Sequence, residues 1–566
     1  MTRKAKYWLI GVCAAAGFLI VMLVLAVRGG GVPDGSVLVL NLHGPIGEQR
    51  STSAIERILE GRGDTILGLR ALLHGAAEDG RISALLVKVG GLQIGMAKAD
   101  DLRDQILHFR KTGKPVVALM EMGSTLDYYV ASACDQIYLV PEGMLFLRGA
   151  MADVPFLRGT LDKLRIVPDF VAIGRYKSFA DIFTRTDMSP TQREVIDSLL
   201  DQLHARIRDT IAEARELEPA RVEAIIDRAI YRAPKAVEAG LADALLYEDE
   251  VLAALEERLE TDLKPYSHTE YEDNLRPSTR GTRVAVVYAT GDIMPGHSRG
   301  GPTEGATLGS DTMAEILGQL RKDDDVKAVV LRVDSPGGSV TASDLIGHEI
   351  ALTREKKPVV VSMSDVAASG GYWISAPASR VVARAGTITG SIGVVAGKFN
   401  LRGLYEWLGV HREIITRGQN ADLFSDYRSF SPQQRQLIRS EMEAVYEKFL
   451  AHVSENRGLD VEQVREAAEG RVWTGTQAKE FGLVDVLGGF DTALEEVREL
   501  AEIEADRPLK LEYYPKERGL IESLLSGDLA RSIGSLKRLL ARLEALSQLT
   551  SEPGLQAREI LFRMDF

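Results

Sequence analysis

The sequence is poor in cysteine and has no excess of basic residues. Its 566 residues include two cysteines. Cys13 lies in an apolar N-terminal run and Cys134 in a stretch with the composition of a protein core, so we expect no disulfide. The net charge is −13 at pH 7, which argues against nucleic acid as a general partner. The chain is too long for one hydrophobic core, so two or more domains are expected.

The N-terminal run is the one segment with a membrane-like composition. Residues 7–27 read YWLIGVCAAAGFLIVMLVLAV and carry no charge. As a helix they would extend about 31 Å, enough to cross a bilayer core. Three basic side chains within residues 1–6 precede the run, and Arg28 alone follows it, so the positive-inside rule keeps the N-terminus cytoplasmic. A cleaved signal peptide is the alternative, but its apolar region would be shorter and a small-x-small site would follow. We therefore favour an uncleaved anchor.

The rest of the chain contains an internal sequence duplication. SVLVLNLHGPI (36–46) resembles RVAVVYATGDI (283–293), and GKPVVALM (113–120) resembles KKPVVVSM (356–363). Further pairs of similar stretches follow in the same order, which indicates two copies of one domain. Within each copy, β-branched strands alternate with amphipathic stretches, a pattern typical of a mainly parallel sheet covered by helices. The predicted fold class is therefore α/β, with two tandem domains.

The predicted boundaries follow from the repeat and from local composition. Residues 509–566 have no visible counterpart in the first copy, and they contain an amphipathic helical pattern for which packing on the core is favoured over a partner subunit or a membrane surface. The predicted organisation is a cytoplasmic N-terminus (1–6), an anchor (7–27), a first repeat (28–262), a polar linker (263–282), a second repeat (283–508) and a helical extension (509–566).

A candidate nucleophile stands in the second copy. In DVAASGGYWISAPASR (365–380), Ser369 lies in a small-residue turn between an apolar strand and an amphipathic run. RVDSPGGSVTASDL (332–345) forms a second turn, whose adjacent glycines allow backbone N–H groups to point into a site. Both turns follow strands, where open α/β sheets place their sites. Aligning Pro115 with Pro358 puts Leu126 opposite Ser369, so the first copy is predicted to lack the hydroxyl.

No histidine suits the role of proton acceptor. The histidines of the second copy lie outside small-residue or glycine-rich turns like that of Ser369, which argues against a Ser-His-Asp triad; they are His297, His348, His411 and His452. A lysine can replace the histidine if burial keeps it neutral. Lys177 follows an apolar strand and a glycine in the first copy, and the alignment places Gly418 opposite it. One copy has the lysine and the other has the serine, which predicts one complete dyad where the halves meet.

These motifs resemble those of a known family. GRYKS and DMSP in the first half, then DSPGGSVTAS, AASGGYWIS and TGSIGV in the second, are similar to bacterial signal peptide peptidase A in its long, duplicated form, also called protease IV. The resemblance runs from the anchor to about residue 500. It implies a ClpP/crotonase-like fold in each half and a membrane-anchored serine endopeptidase of the inner membrane with its body on the periplasmic side. It also implies a bowl-shaped homotetramer that degrades signal peptides and other hydrophobic peptides.

The resemblance assigns roles to residues of this chain. Ser369 is expected to be the nucleophile, Lys177 the general base, and Ser391 in TGSIGV the hydroxyl that orients the lysine. Two backbone N–H groups are expected to form the oxyanion hole, those of Gly370 and Gly338, with Gly337 as the alternative to Gly338. No metal and no cofactor are expected.

Two other classes of protein stay open. An acyl-CoA hydratase or isomerase shares the implied fold, but it needs neither a serine nor an anchor. A non-catalytic membrane scaffold would use the duplicated domain only to assemble rings. Random decay would not be expected to leave one complete catalytic set divided between two copies, so the peptidase interpretation is favoured over the scaffold.

Overall fold

The structure, a computed structural model, describes residues 31–54, 57, 63–275, 280–299, 306–517 and 519. The predicted anchor at 7–27 lies outside the described residues, and so does most of the extension at 509–566. Within the described ranges, no helix combines the length and the apolar character that a membrane crossing requires.

The first half consists of short strands and helices in alternation. Its strands are β1 (Ser36–Gly44), β2 (Ile82–Leu92), β3 (Val116–Ser124), β4 (Gln136–Phe146), β5 (Val167–Ile173), β6 (Ile230–Arg232), β7 (Ala244–Leu245) and β8 (Lys264–Ser267). Its helices are α1 (Ile66–Glu78), α2 (Met96–Arg110), α3 (Thr125–Ala131), α4 (Arg158–Lys163), α5 (Asp181–Thr184), α6 (Pro190–Ala214), α7 (Pro219–Arg228), α8 (Ala233–Glu238), α9 (Glu248–Leu259) and α10 (His268–Asn274).

The second half repeats this order. Its strands are β9 (Thr282–Thr290), β10 (Asp292–Met294), β11 (Thr307–Gly309), β12 (Val326–Ser335), β13 (Val359–Ala368), β14 (Arg380–Ala383), β15 (Ile388–Gly390), β16 (Val394–Asn400), β17 (Val472–Thr474), β18 (Val486–Leu487) and β19 (Leu509–Tyr514). Its helices are α11 (Ser310–Lys322), α12 (Val340–Arg354), α13 (Gly370–Ser375), α14 (Arg402–Trp407), α15 (Pro432–Arg457), α16 (Val461–Ala467), α17 (Gly475–Glu480) and α18 (Phe490–Leu500).

Each half builds one mainly parallel sheet. The first has the order β6-β4-β3-β2-β1-β8 with β7 beside β4, and only β6 is antiparallel to its neighbour. The second has the order β17-β15-β13-β12-β9-β19 with β14 beside β13, and only β17 is antiparallel. Central strands such as β13 begin as continuous buried valine runs, as expected for parallel strands covered on both faces. The predicted α/β class and the duplication are confirmed.

The two halves share a hydrophobic core and a two-stranded ribbon. One cluster of buried side chains includes Leu85 and Leu139 of the first sheet together with Val286, Val330 and Val360 of the second. Outside the sheets, β5 of the first copy pairs antiparallel with β16 of the second. The halves therefore pack against each other closely enough for a site to form between them.

Two predicted boundaries need correction. Within the predicted linker at 263–282, β8 pairs with β1 and α10 follows it. At the start of the predicted helical extension, β19 is a strand that pairs with β9. The strands β8 and β19 are equivalent edge strands of the two sheets, so the tail does have a counterpart in the first copy. Both strands are short and carry charged side chains, as edge strands often do, which concealed the match; their sequences are KPYS and LKLEYY.

Candidate active site

Ser369 occupies a strained turn at the end of β13. It separates β13 from α13 with φ 54° and ψ −116°, a conformation that L-residues rarely adopt. Its N–H donates to the carbonyl of Gly390 at 2.9 Å. A Cβ atom at Gly370 would lie 2.5 Å from Ser343 Oγ, and one at Gly371 would lie 2.5 Å from the Ser335 carbonyl oxygen. The two glycines are therefore required by the close packing around this turn.

Lys177 approaches this turn from the other copy. Its Nζ lies 3.1 Å from Ser369 Oγ, although the two residues are 192 positions apart. The same Nζ donates to Ser391 Oγ and to the Ser391 carbonyl oxygen, each at 2.9 Å. No carboxylate of the described residues forms an ion pair with it. Burial lowers the pKa of Lys177 to about 8, because a desolvated amine disfavours its charge.

The ribbon of β5 and β16 explains why these residues meet. Ile173 pairs with Val394 in an antiparallel register. Lys177 follows β5 closely, and Ser391 precedes β16 closely, so both lie at the same end of the ribbon. Ser391 also adopts a positive φ of 54°, and its N–H donates to the Arg471 carbonyl at 2.7 Å. The structure thus brings together all three side chains that the sequence singled out.

A short segment of the second copy holds the lysine loop in place. The Glu469 carbonyl accepts from the N–H of Tyr176 at 2.7 Å, and the Glu469 carboxylate accepts from the N–H of Arg175 at 2.9 Å. Gly470, at φ 76°, lies against the Lys177 backbone. Sequence reasoning missed this segment, since a lone Glu-Gly pair after a helix carries no distinctive signal.

The glycine turn after β12 offers one free N–H group beside Ser369. The N–H of Gly337 donates to Ser335 Oγ at 3.2 Å. Within the described ranges we find no acceptor for the N–H of Gly338 or for that of Gly370. The Gly338 nitrogen also lies 3.2 Å from the position of a Cβ built on Gly370, so the two N–H groups are neighbours. Of the two glycines left open by the sequence, the geometry favours Gly338 as an oxyanion donor.

The first copy carries a hydroxyl at the position equivalent to Ser369, contrary to the alignment. Ser124 pairs with Phe146 as Ala368 pairs with Gly390, which puts Thr125 opposite Ser369. The predicted partner, Leu126, is one residue too far along. A one-residue difference between the copies after the shared Lys-Pro causes this shift, and sequence similarity alone could not locate it.

The surroundings of Thr125 differ from those of Ser369. Its hydroxyl donates to the carbonyl of Arg148. The buried carboxylate of Asp127 accepts from the N–H groups of Gly91 at 3.0 Å, Leu92 at 2.9 Å and Ser124 at 2.7 Å. Backbone donors near the turn are thereby occupied by the protein's own carboxylate. Among the described residues, the second copy has no such carboxylate contact at Gly338 or Gly370, so the two turns differ in which backbone donors are occupied.

The predicted match between Gly418 and Lys177 is wrong. The N–H of Lys177 donates to the Gly174 carbonyl, and the N–H of Ala421 donates to the Gly418 carbonyl in the equivalent turn. Gly174 and Gly418 both have positive φ, 108° and 96°, so they are the matching pair. Ala421 therefore stands opposite Lys177. The second copy still lacks a lysine at this position, so the complementary division of the dyad is unchanged.

In the described ranges, no group of three or more His, Cys, Asp or Glu side chains is placed to hold an ion. The chemistry available from the three side chains is proton transfer between a buried amine and a hydroxyl. The N–H groups of Gly338 and Gly370 lie beside that hydroxyl.

Comparisons with known proteins identify the family of the chain. The family model described as "Peptidase family S49" matches residues 108–262 and 351–504, once in each half. The chain is 34% identical over 542 residues to "Serine protease SPPA, chloroplastic" of Arabidopsis thaliana, covering 93% of this chain and 78% of that protein. It is 36% identical over 459 residues to "Protease 4" of Salmonella typhi, covering 79% and 72%.

A further relative and one solved structure complete the comparison. "Protease 4" of Haemophilus influenzae is 30% identical over 475 residues, covering 80% of this chain and 76% of that protein. A mutant of ClpP1 from Listeria monocytogenes matches with a TM-score of 0.25 and 16% identity, over 37% of this chain and 94% of that one. The ClpP/crotonase-like fold of each half stays a prediction. The matches in both halves and the long, similar relatives place the chain in peptidase family S49.

Proposed function

We propose that this protein is a serine endopeptidase in which Ser369 and Lys177 form a catalytic dyad. The observation that carries the proposal is the 3.1 Å contact between a buried amine and a hydroxyl on a strained turn. A neutral amine accepts a proton, and burial with the resulting pKa of about 8 makes that form accessible near neutral pH. Ser391 adds a hydroxyl and a carbonyl that hold Nζ in one orientation without adding charge.

The first half of the reaction forms an acyl-enzyme. Lys177 Nζ takes the proton of Ser369 Oγ as the oxygen attacks the scissile carbonyl carbon. The developing oxyanion accepts hydrogen bonds from the N–H groups of Gly338 and Gly370. The ammonium of Lys177 then protonates the leaving amine as the C–N bond breaks, which leaves an ester on Ser369 and a neutral lysine.

Hydrolysis of the ester completes the cycle. Lys177 accepts a proton from water, the resulting hydroxide equivalent attacks the ester carbonyl, and the same two N–H groups hold the oxyanion. The proton returns to Ser369 Oγ as the carboxylic acid product leaves. Loss of either N–H donor should cost about 10²–10³ in rate.

Hydrophobic peptides are the proposed substrates, cleaved signal peptides foremost. An aromatic cluster beside the lysine loop supports this, with the ring centroids of Phe170 and Phe183 5.7 Å apart and those of Phe179 and Phe183 5.8 Å apart. Phe179 is 54% exposed and lies two positions after Lys177. We further propose that residues 7–27 cross the lipid bilayer of the bacterial inner membrane and anchor the chain there, with the catalytic body on the periplasmic side.

A homotetramer is the proposed assembly, and the internal repeat supports a specific contact. The segments equivalent to β5 and β16 are residues 411–417 of the second copy and 150–156 of the first, as the matching contacts around α4 and α14 indicate. In the described structure neither segment is a strand, and each exposes an apolar side chain, Ile415 at 83% and Met151 at 84%. Pairing 411–417 of one subunit with 150–156 of the next would be head-to-tail, the type of contact that closes into rings.

The dyad is tested with a fluorophosphonate probe and a casein-like substrate on the full chain in detergent. Wild type should be labelled and should cleave, whereas Ser369→Ala and Lys177→Ala should do neither. Full activity of the lysine variant would refute the dyad. A wild-type protein that the probe never labels would favour the alternative of a non-catalytic membrane scaffold. The assembly is tested separately by mass photometry: Ile415→Asp should dissociate the tetramer, and Val461→Asp, on the exposed face of α16, should not.

A further inference from the structure

A lysine of the first copy lies between two aspartates of the second. Lys98 Nζ is 2.8 Å from Asp334 Oδ2 and 3.5 Å from Asp365 Oδ2. All three side chains are at least four-fifths buried. The mechanism proposed above uses none of them. Two carboxylates held this close together in a dry environment repel each other unless a cation lies between them.

The two aspartates stand where the central strands of the second sheet lose their regular pairing. Val333 of β12 pairs with Met363 of β13, but Ser335 pairs with Ala367, so β13 bulges between these points. Asp334 Oδ1 accepts from the N–H of Val366 at 3.1 Å inside the bulge. The Asp334 side chain therefore replaces a backbone hydrogen bond between β12 and β13 that the bulge interrupts, a few residues before Ser369.

Asp365 also binds the first copy through backbone contacts. Its Oδ2 accepts from the N–H of Gly95 at 3.0 Å and its Oδ1 from the N–H of Lys98 at 3.0 Å, which caps the start of α2. Gly95 has no side chain to do this, and a Cβ there would collide with the Asp365 carboxylate. The equivalent helix α12 is capped within its own copy, by Ser339. The cap on α2 thus fixes where β13 lies against the other half.

We propose that Lys98 is a positioning residue that holds the nucleophile turn and the oxyanion turn in register from the opposite copy. Asp334 directly precedes Ser335, whose hydroxyl binds the N–H of Gly337, and Asp365 stands four positions before Ser369. Lys98 joins the two strand ends at this point. The inference rests on the proposed function, because it concerns the alignment of that dyad and its N–H groups.

The alternative role for Lys98 is general stabilisation of the contact between the copies, and the two roles predict different results. A displaced Ser369 or Gly338 lowers the maximal rate of acylation and leaves the titration of Lys177 unchanged. A loosened interface instead admits water to Lys177, and the pKa of Lys177 then rises towards its ordinary value of 10.5. The pH midpoint of the labelling rate rises by the same amount.

The test compares Lys98→Met, Lys98→Arg and Arg70→Met in the full chain. Arg70 is a matched control, since it also joins the copies, through a 2.7 Å contact with Asp491, but lies outside the site. The rate of fluorophosphonate labelling is measured against pH. We expect Lys98→Met to lower the plateau about 10- to 100-fold with the midpoint unchanged, since small misplacements have effects of that size. Lys98→Arg should recover part of the loss, and Arg70→Met should label like wild type.

A second readout does not depend on activity. Hydrogen–deuterium exchange of the peptide that spans residues 362–375 should speed up in Lys98→Met and stay at the wild-type rate in Arg70→Met. Unchanged exchange together with an unchanged plateau overturns the proposal, and so does a shifted pH midpoint with an unchanged plateau. If the wild type is not labelled at all, the dyad is refuted, while the exchange result still decides whether Lys98 holds the turn.

Discussion

Gly470 lies directly against Lys177: a Cβ atom on Gly470 would stand 2.6 Å from Lys177 Cβ and 2.7 Å from its backbone nitrogen. These distances are shorter than any real Cβ contact, so Gly470→Ala must displace the lysine loop. We expect the displacement to lengthen the contact between Lys177 and Ser369 and to lower the rate of peptide cleavage about 100-fold. Steady-state cleavage of a fluorogenic casein substrate measures the change.

The control for this variant is Gly458→Ala. Gly458 also has a positive φ, 65° against 76° for Gly470, so both changes impose similar backbone strain. A Cβ at Gly458 would meet no atom within 4 Å. Cleavage by Gly458→Ala at close to the wild-type rate is expected; an equal loss in both variants would assign the effect to strain rather than to Lys177.

The rate of acylation should rise with pH through about 8. Burial lowers the pKa of Lys177 from 10.5 to about 8, and only the neutral amine can accept the proton of Ser369. Below that pH the neutral fraction falls tenfold per unit, to about one amine in ten at pH 7. The labelling rate should therefore climb from about pH 6 to 8 and level off above about 9. A midpoint of about 6.5 would point to a histidine base and contradict the dyad.

The orienting contact of Ser391 can be separated from the nucleophile. Ser391→Ala removes one of the two Ser391 oxygens that accept from Lys177 Nζ and leaves the carbonyl contact at 2.9 Å. We expect about a 10- to 100-fold loss of cleavage, smaller than the loss in Ser369→Ala, because a hydrogen bond to a charged or reacting group contributes about 1.5–3 kcal/mol. Cleavage by Ser391→Ala at the wild-type rate would refute the orienting role of Ser391.

Only one of the two equivalent hydroxyls should react. Thr125 stands where Ser369 stands in the other copy, but Ala421 stands where the lysine would be, and Asp127 accepts from three N–H groups near the turn. Thr125→Ala should be labelled by the fluorophosphonate as fast as wild type, whereas Ser369→Ala should not be labelled. Mass spectrometry of the labelled peptide identifies the residue, and a label on Thr125 would contradict the assignment of one dyad per chain.

The sequence predicted the dyad because the two copies could be compared with each other. Lys177 and Ser369 each lie in a turn that the other copy fills differently, and this contrast survived two errors of register. The error of Leu126 for Thr125 arose because β13 has one residue more than β3, and that of Gly418 for Ala421 arose in a loop whose length differs between the copies. Neither difference leaves a periodic signal, so only hydrogen bonds and strand pairing in the structure could fix the match.

The charged contacts between the halves could not be predicted. Glu48 and Arg332 are far apart in sequence, yet both are buried and paired in the structure. Their meeting depends on how two sheets pack, which no local pattern encodes. For the same reason, the contact of Lys98 with Asp334 and Asp365 could not be predicted from the sequence. A sequence pattern reports which face of a strand is buried, but it does not report which charge lies on the opposing element.

The pair of Glu48 and Arg332 gives the last prediction, which concerns stability. Arg332 is fully buried, with Nε 2.8 Å and Nη2 3.0 Å from the Glu48 carboxylate, and Asp101 accepts a further bond at 2.7 Å. Glu48→Gln removes one charge and turns an acceptor into a donor facing the guanidinium. We expect the free energy of unfolding in urea to fall by about 3–5 kcal/mol, as when a buried pair loses one partner.

The exposed pair of Glu142 and Arg232 provides the matched control for that measurement. Its side chains are 82% and 68% exposed and 2.7 Å apart, so Glu142→Gln makes the same chemical change in water. The expected loss is below about 1 kcal/mol, since solvent screens surface pairs. Because Glu48 belongs to the first copy and Arg332 to the second, the larger loss should also appear as earlier separation of the halves. Equal losses in the two variants would mean that water reaches Arg332 and that the contact between the copies is looser than its burial indicates.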